Sequence, residues 1–126
     1  MSAHRSPKPA SPSRAAREQL ELWQTEWCPS SRRVRQVMTE LDLAYLTRQV
    51  PVDADEREEL FRATGSRMIP VLVAGGEPIA GEQEIVTYLH EHFPRPAGAD
   101  GHREKARLAR RKELESECPQ LAAATH

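Results

Sequence analysis

Between Leu20 and Phe93 the chain is interrupted so often that only single short strands and single helices fit between the breaks. Pro29, Pro51, Gly65, Pro70, the Gly75-Gly76 pair and Pro94 supply those breaks. Leu20 to Trp23 alternates apolar and polar residues and reads as a strand. Pro29 stands where a helix tolerates proline best, in its first turn, and Val34, Val37, Met38 and Leu41 then share one helix face. Ala44 to Val50 reads as a second strand, ended by Pro51. Asp53 to Glu56 fits a capping box with Asp53 as N-cap, opening a helix that carries Leu60 and Phe61 and stops at Gly65. Pro70 to Val73, the Gly75-Gly76 turn and Glu77 to Ala80 give a hairpin signal. Gly81 opens a last helix with Ile85, Val86, Leu89 and Phe93 on its buried side, closed before Pro94.

The order is β-α-β-α-β-β-α, an α/β fold with one sheet layered by helices. The first two strands, joined by a crossover helix, are expected to be parallel and the closing hairpin antiparallel. The 126 residues allow one such domain, placed at 18–94, plus tails. Residues 1–17 hold four basic residues, no acid and much Pro and Ser, which predicts a disordered basic tail. Pro7, Pro9 and Pro12 would spoil the amphipathic helix of a transit peptide. Residues 95–126 read as a linker followed by a charged, marginal helix with only Leu108 and Leu114 as large anchors.

Charge argues against one class of partner. From Glu18 to Phe93 there are 14 acidic and 7 basic residues, while the tails hold the other 5 acids and 11 bases. A nucleic-acid-binding domain would show the reverse distribution, so no nucleic acid is expected. No apolar run approaches membrane-spanning length and no apolar segment follows Met1, so a cytoplasmic protein with no membrane association is expected. The two cysteines, Cys28 and Cys118, lie far apart in the chain, which suits a reducing compartment with at least one free thiol.

The stretch WCPSSRRV places Cys28 directly before the proline that begins a helix. A thiolate is the nucleophilic form of cysteine, and the unpaired N–H groups of a helix N-terminus stabilise negative charge. The backbone N–H groups of Ser30, Ser31 and Arg32 can therefore point at its sulfur, with Arg32 and Arg33 adding positive charge nearby. The plainer reading is a small residue plugging a strand–helix junction. Ile69-Pro70 opens a strand, and a cis bond there would turn the backbone of Ile69 outward, ready to pair with an extended thiol peptide. A trans proline guarding an edge is the plainer alternative. Gly81-Glu82-Gln83 opens the last helix, where free N–H groups suit a carboxylate and the two side chains an ammonium group; ordinary helix-start chemistry accounts for it equally.

In combination, the strand, Cys-Pro helix, Ile-Pro strand, hairpin and Gly-Glu-Gln helix resemble the glutaredoxin family and, equally, the N-terminal domain of glutathione S-transferases. Cys28 to Ser31, CPSS, is similar to the glutaredoxin C-P-x-C or C-P-x-S site. Met68 to Pro70, MIP, is similar to T-V-P, whose proline is cis in that family. IAGEQEIVTYL resembles the G-G-x-D-D segment of glutaredoxins and the E-S-x-x-I-x-x-Y-L segment of transferases. The resemblance covers about Leu20 to Phe93 and implies a thioredoxin-like fold with a four-stranded mixed sheet and helices on both faces.

It implies Cys28 as nucleophile within the motif Pro29, Ser30 and Ser31. Ile69 would be the backbone partner of the ligand's cysteinyl part, held by Pro70, while Glu82 and Gln83 would take a γ-glutamyl end. Ser31 at the second cysteine's place leaves a monothiol cycle, a thiol-disulfide exchange with glutathione as co-substrate and disulfide-containing or S-thiolated proteins as partners. Thr25 stands where glutaredoxins carry a lysine, and Ala80 replaces the first glycine of the Gly-Gly pair. Arg67 is the candidate replacement for the missing cation, and a different low-molecular-weight thiol such as mycothiol fits as well. Alternatives are a transferase-like thiol-binding domain without its helical domain, an iron–sulfur-binding module and a scaffold. His90 and His92 sit two apart, off a common helix face, so no metal is expected. No P-loop, G-x-S-x-G or H-E-x-x-H occurs.

Overall fold

The computed structural model describes residues 19–117. The basic tail expected over 1–17 and the second thiol, Cys118, lie outside the described residues. The elements run β1 (Glu21–Gln24), α1 (Pro29–Glu40), β2 (Leu46–Gln49), a 3-10 turn (Ala54–Glu56), α2 (Glu58–Thr64), β3 (Val71–Ala74), β4 (Glu77–Ala80), α3 (Glu82–His92) and α4 (Ala99–Glu117). The sheet order is β2-β1-β3-β4, with β1 parallel to β2 and the other two pairings antiparallel. This is the four-stranded mixed sheet that the element order predicts.

The two-residue period of the strands sorts the core into two layers. Leu22 and Leu72 lie opposite each other and belong to the larger cluster, packed with Val34, Val37 and Met38 of α1 and Ile85, Val86 and Leu89 of α3. Trp23 and Val71, one register step along, point to the other face and pack with Leu60 of α2, beside Val50, Ile69 and Val73. Helices therefore cover both faces. Leu22, Val34, Met38, Leu72, Ile85 and Leu89 are completely buried, each stabilising the fold by about 1.5–3 kcal/mol relative to an exposed side chain. Gly75 and Gly76, at φ 59° and 89°, supply the two positive φ values that a tight β3–β4 hairpin needs.

The capping box expected at Asp53 to Glu56 does not form. Asp53 makes no side-chain cap bond, a 3-10 turn fills Ala54–Glu56, and α2 starts only at Glu58. Arg57 accounts for the change. It is buried and donates from Nε to the Pro51 carbonyl at 2.8 Å, from Nη2 to the Val52 carbonyl at 2.8 Å and from Nη1 to the Arg67 carbonyl at 2.9 Å. Those bonds fold the chain back at Arg57, so the helix cannot begin until the next residue. Phe61 of α2 is exposed rather than core, and Gly65 ends α2 in the left-handed conformation, as a C-terminal glycine should.

In the 95–126 segment helix α4 begins at Ala99, which is fully buried, so the linker before it is short. The helix is fastened to α1 through Glu40, a carboxylate only 3% exposed. Arg103 donates to it from Nη2 at 2.8 Å and Gln36 from Nε2 at 3.0 Å, while Gln36 also reaches the His102 carbonyl at 3.3 Å. Arg95 stands 3.9 Å away on the same carboxylate oxygen as Arg103. Beyond that contact, Arg107–Glu104, Arg110–Glu113 and Arg111–Glu115 pair along the helix's own surface. Among the described residues no helix is long and apolar enough to cross a membrane.

Candidate functional site

Strand direction brings four connections to one end of the sheet. Gln24 is level with Gln49, Trp23 with Val71, and Val71 with Ala80. The ends of β1, β2 and β4 and the start of β3 therefore meet there, and with them the loops holding Cys28, Pro51 to Arg57, Ile69-Pro70 and Gly81-Glu82.

Cys28 is the N-cap of α1, in an extended conformation at φ −79° and ψ 121°. Its carbonyl accepts the first helical bond from Arg32 at 2.9 Å, and its Sγ accepts the Ser31 backbone N–H at 3.4 Å. Proline at the first helical position lacks an N–H and costs the helix nothing there. The thiol is half-buried and free. Ser31 is fully buried, and neither its hydroxyl nor that of buried Thr25 has a hydrogen-bond partner among the described residues. Arg35 braces the loop from behind. It bonds Gln24 Oε1, donates to the Thr25 carbonyl at 3.2 Å and the Glu26 carbonyl at 3.5 Å, and pairs with the Glu26 carboxylate at 3.2 Å.

The Ile69-Pro70 bond is cis, as the resemblance implied. Pro70 is fully buried and its carbonyl accepts the Gly81 N–H at 3.2 Å, tying the start of β3 to the start of α3. Ile69 lies just beyond Val71–Trp23, the last ladder pair with β1. Gly81 has φ 101°, a conformation that L side chains rarely adopt, and a Cβ there would stand 2.6 Å from Glu84 Oε1. Glu82, half-buried at the first turn of α3, accepts from Arg33 Nη1 of α1 at 2.8 Å.

Cys28, Ile69, Pro70 and Glu82 thus share one end of the sheet. The other two candidates are engaged elsewhere. Gln83 is exposed and donates to Thr87 Oγ1 at 3.4 Å on its own helix. The Arg67 guanidinium bonds Glu58 at 3.1 Å and the Asp55 carbonyl at 3.3 Å and lies 4.6 Å over the Phe61 ring. Arg35 and Arg57, by contrast, were not singled out from sequence. Arg57 bonds only backbone carbonyls and Arg35 divides its bonds between backbone carbonyls and the side chains of Gln24 and Glu26, and carbonyl partners are not encoded by any residue pattern.

A cysteine-capped helix opposite a cis-proline strand, on a mixed sheet with helices on both faces, defines a thioredoxin-like domain of the glutathione transferase and glutaredoxin kind. Residues 22–97 match the glutathione S-transferase N-terminal domain, and the chain belongs to that family. No curated protein shows significant similarity to the sequence. Among solved structures, a rice glutathione S-transferase in complex with glutathione is 24% identical with a TM-score of 0.55, covering 79% of this chain and 46% of that one. A diazinon-metabolizing glutathione S-transferase of the silkworm Bombyx mori is 25% identical with a TM-score of 0.51, covering 56% and 36%. Glutaredoxin 2 of Salmonella typhimurium, also in complex with glutathione, is 18% identical with a TM-score of 0.51, covering 57% and 33%. The matched part is thus less than half the length of each of these proteins.

Proposed function

We propose that this domain is a cytoplasmic, glutathione-dependent monothiol exchange enzyme with Cys28 as its nucleophile. The observation that carries this reading is the Ser31 N–H directed at Cys28 Sγ at 3.4 Å at the start of α1. That bond places Sγ at the open N-terminus of α1, where unpaired backbone N–H groups face an attacking or departing sulfur. The Cys28 thiolate attacks the glutathionyl sulfur of an S-thiolated protein, forming a Cys28–glutathione disulfide and releasing the protein thiolate, which takes a proton from water. A second glutathione thiolate then attacks that disulfide, freeing Cys28 and leaving glutathione disulfide. With Ser31 where a second thiol would stand, no internal disulfide competes.

In this reading the cysteinyl part of the ligand pairs with the backbone of Ile69 as an added strand, with Pro70 holding that backbone in place. The γ-glutamyl end lies at the N-terminus of α3 beside Glu82. Gln83 and Arg67 join the ligand only by leaving Thr87 and Glu58. A mycothiol-like thiol is accommodated by the same backbone pairing, since pairing with Ile69 is blind to side chains.

The family membership favours a second reading, in which Cys28 binds and activates glutathione for attack on an electrophile. The deciding experiment is intact mass after incubation with glutathione disulfide, for the native chain and Cys28→Ser. One glutathionyl adduct, absent in the variant and removed by added glutathione, supports exchange. No adduct, with glutathione consumed only alongside an aryl halide, supports the second reading. An adduct with mycothiol disulfide alone changes the co-substrate and keeps the mechanism.

A further inference from the structure

Arg57 is the most deeply engaged charged side chain near the site, and the exchange mechanism does not use it. It is 6% exposed, has no carboxylate partner among the described residues, and spends Nε, Nη1 and Nη2 on three main-chain carbonyls. Burying a guanidinium is costly unless its donors are satisfied, and three short bonds satisfy all three nitrogens. Two of the carbonyls, of Pro51 and Val52, leave the end of β2. The third, of Arg67, lies two residues before Ile69. One side chain thus ties the connection after β2 to the connection that leads into the cis-proline strand.

Within the segment from Ser66 to Met68 the bonds form a small turn. Ser66 N–H bonds Thr64 Oγ1 at 3.2 Å, Met68 N–H bonds Ser66 Oγ at 3.1 Å, and Met68 itself is exposed. The Arg67 guanidinium adds exposed bonds to the Asp55 carbonyl and to Glu58. The Arg57–Arg67 bond is the buried tie, and it grips the backbone of the turn rather than a side chain.

We propose that Arg57 is the positioning residue of the thiol-ligand site: by holding the Arg67 carbonyl it sets where the backbone of Ile69 stands when a peptide thiol pairs with it. This rests on the reading above, in which Ile69 receives the ligand. Cys28 lies on a separate loop, braced by Arg35, so Arg57 acts on ligand binding and leaves the reactivity of the thiol alone. A planar fork is required, because a lysine ammonium is a point donor that cannot span three carbonyls.

The test compares the native chain with Arg57→Lys and Arg57→Gln, using S-methylglutathione, which binds without reacting, and iodoacetamide, with alkylation of Cys28 followed separately from that of Cys118 by peptide mass. Both variants should bind S-methylglutathione about 10- to 100-fold more weakly. Cys28 alkylation should keep its native rate and pH profile. Native-like binding in either folded variant overturns the proposal, as does an equal loss of alkylation, which would mean general disruption. If the native chain binds no S-methylglutathione, it is the ligand reading that fails, a distinguishable result. Should both variants unfold, the native chain decides by nitrogen-15 spectra: the Arg57 Nε–H signal must shift on ligand binding together with the Ile69 amide. A shift at Ile69 with Arg57 unmoved overturns the proposal.

Discussion

Arg33 of α1 and Glu82 of α3 meet at 2.8 Å across the mouth of the site, so the carboxylate proposed for the ligand's ammonium group is already engaged by a cation. A zwitterionic amino-acid end can replace that pair by presenting carboxylate to Arg33 and ammonium to Glu82. Glu82→Gln should weaken S-methylglutathione binding about tenfold, the scale of a hydrogen bond to a charged group. Arg33→Gln should change it by no more than about fivefold, since an exposed ion pair is screened. Calorimetric titration of both variants checks the order.

The hydroxyl of Ser31, the residue whose N–H meets the thiol, is buried with no hydrogen-bond partner among the described residues. A hydroxyl removed from water without a hydrogen bond costs about 1–3 kcal/mol, so Ser31→Ala should raise stability by about 1 kcal/mol. For a domain of this size that is a rise of about 4–8 °C in Tm, read by thermal denaturation. Ser31→Cys should also fold, and under mild oxidation it should lose two hydrogens by mass as an internal disulfide forms with Cys28. A variant that keeps both thiols under oxidation would show that the two positions do not meet.

Glu40 links acidity to the docking of α4. Burial raises its pKa, but hydrogen bonds from Arg103 and Gln36 and the charges of Arg103 and Arg95 outweigh it, so the carboxyl sits below its ordinary value. A depressed carboxyl stabilises the folded state above its unfolded pKa and loses that contribution as pH falls through the folded value. Stability is therefore expected to fall below about pH 4.5. Glu40→Gln should lose about 1 kcal/mol at neutral pH, a modest figure because Arg103 is largely exposed, and should flatten the acid limb of Tm against pH. An unchanged acid limb would show that Glu40 does not govern it.

Gly81 joins the start of α3 to Pro70 while holding φ 101°. Gly81→Ala should destabilise by about 1–3 kcal/mol, the cost of a side chain in a region of φ and ψ used almost only by glycine. Denaturant titration gives the stability. Binding of S-methylglutathione by the remaining folded protein should weaken too, since the Gly81–Pro70 bond registers the two halves of the ligand site.

The sequence was most legible where two independent signals coincided. Helix α1 has both Pro29 at its start and an apolar face from Val34 to Leu41; α3 and the hairpin are equally double-marked. Strand β2 spans only Leu46–Gln49 of the expected 44–50, because all four of its residues are exposed and no buried face defines its ends. The Asp53 capping box failed against Arg57, whose carbonyl partners lie up to ten residues away. At the site, the cysteine cap was legible from its position and the cis bond from the family resemblance. Side-chain allegiances were not: Arg67 and Gln83 have the right chemistry for a ligand, yet closer partners hold them.

The Gly75-Gly76 turn closes the hairpin at the pole opposite Cys28, one four-residue strand away, or about 13 Å. Chemistry and handle are thereby separated by the length of the sheet. A fluorophore or affinity peptide grafted at this turn would ride on the outside of β3 and β4, and the same molecule could be immobilised by one pole while its thiol is assayed at the other.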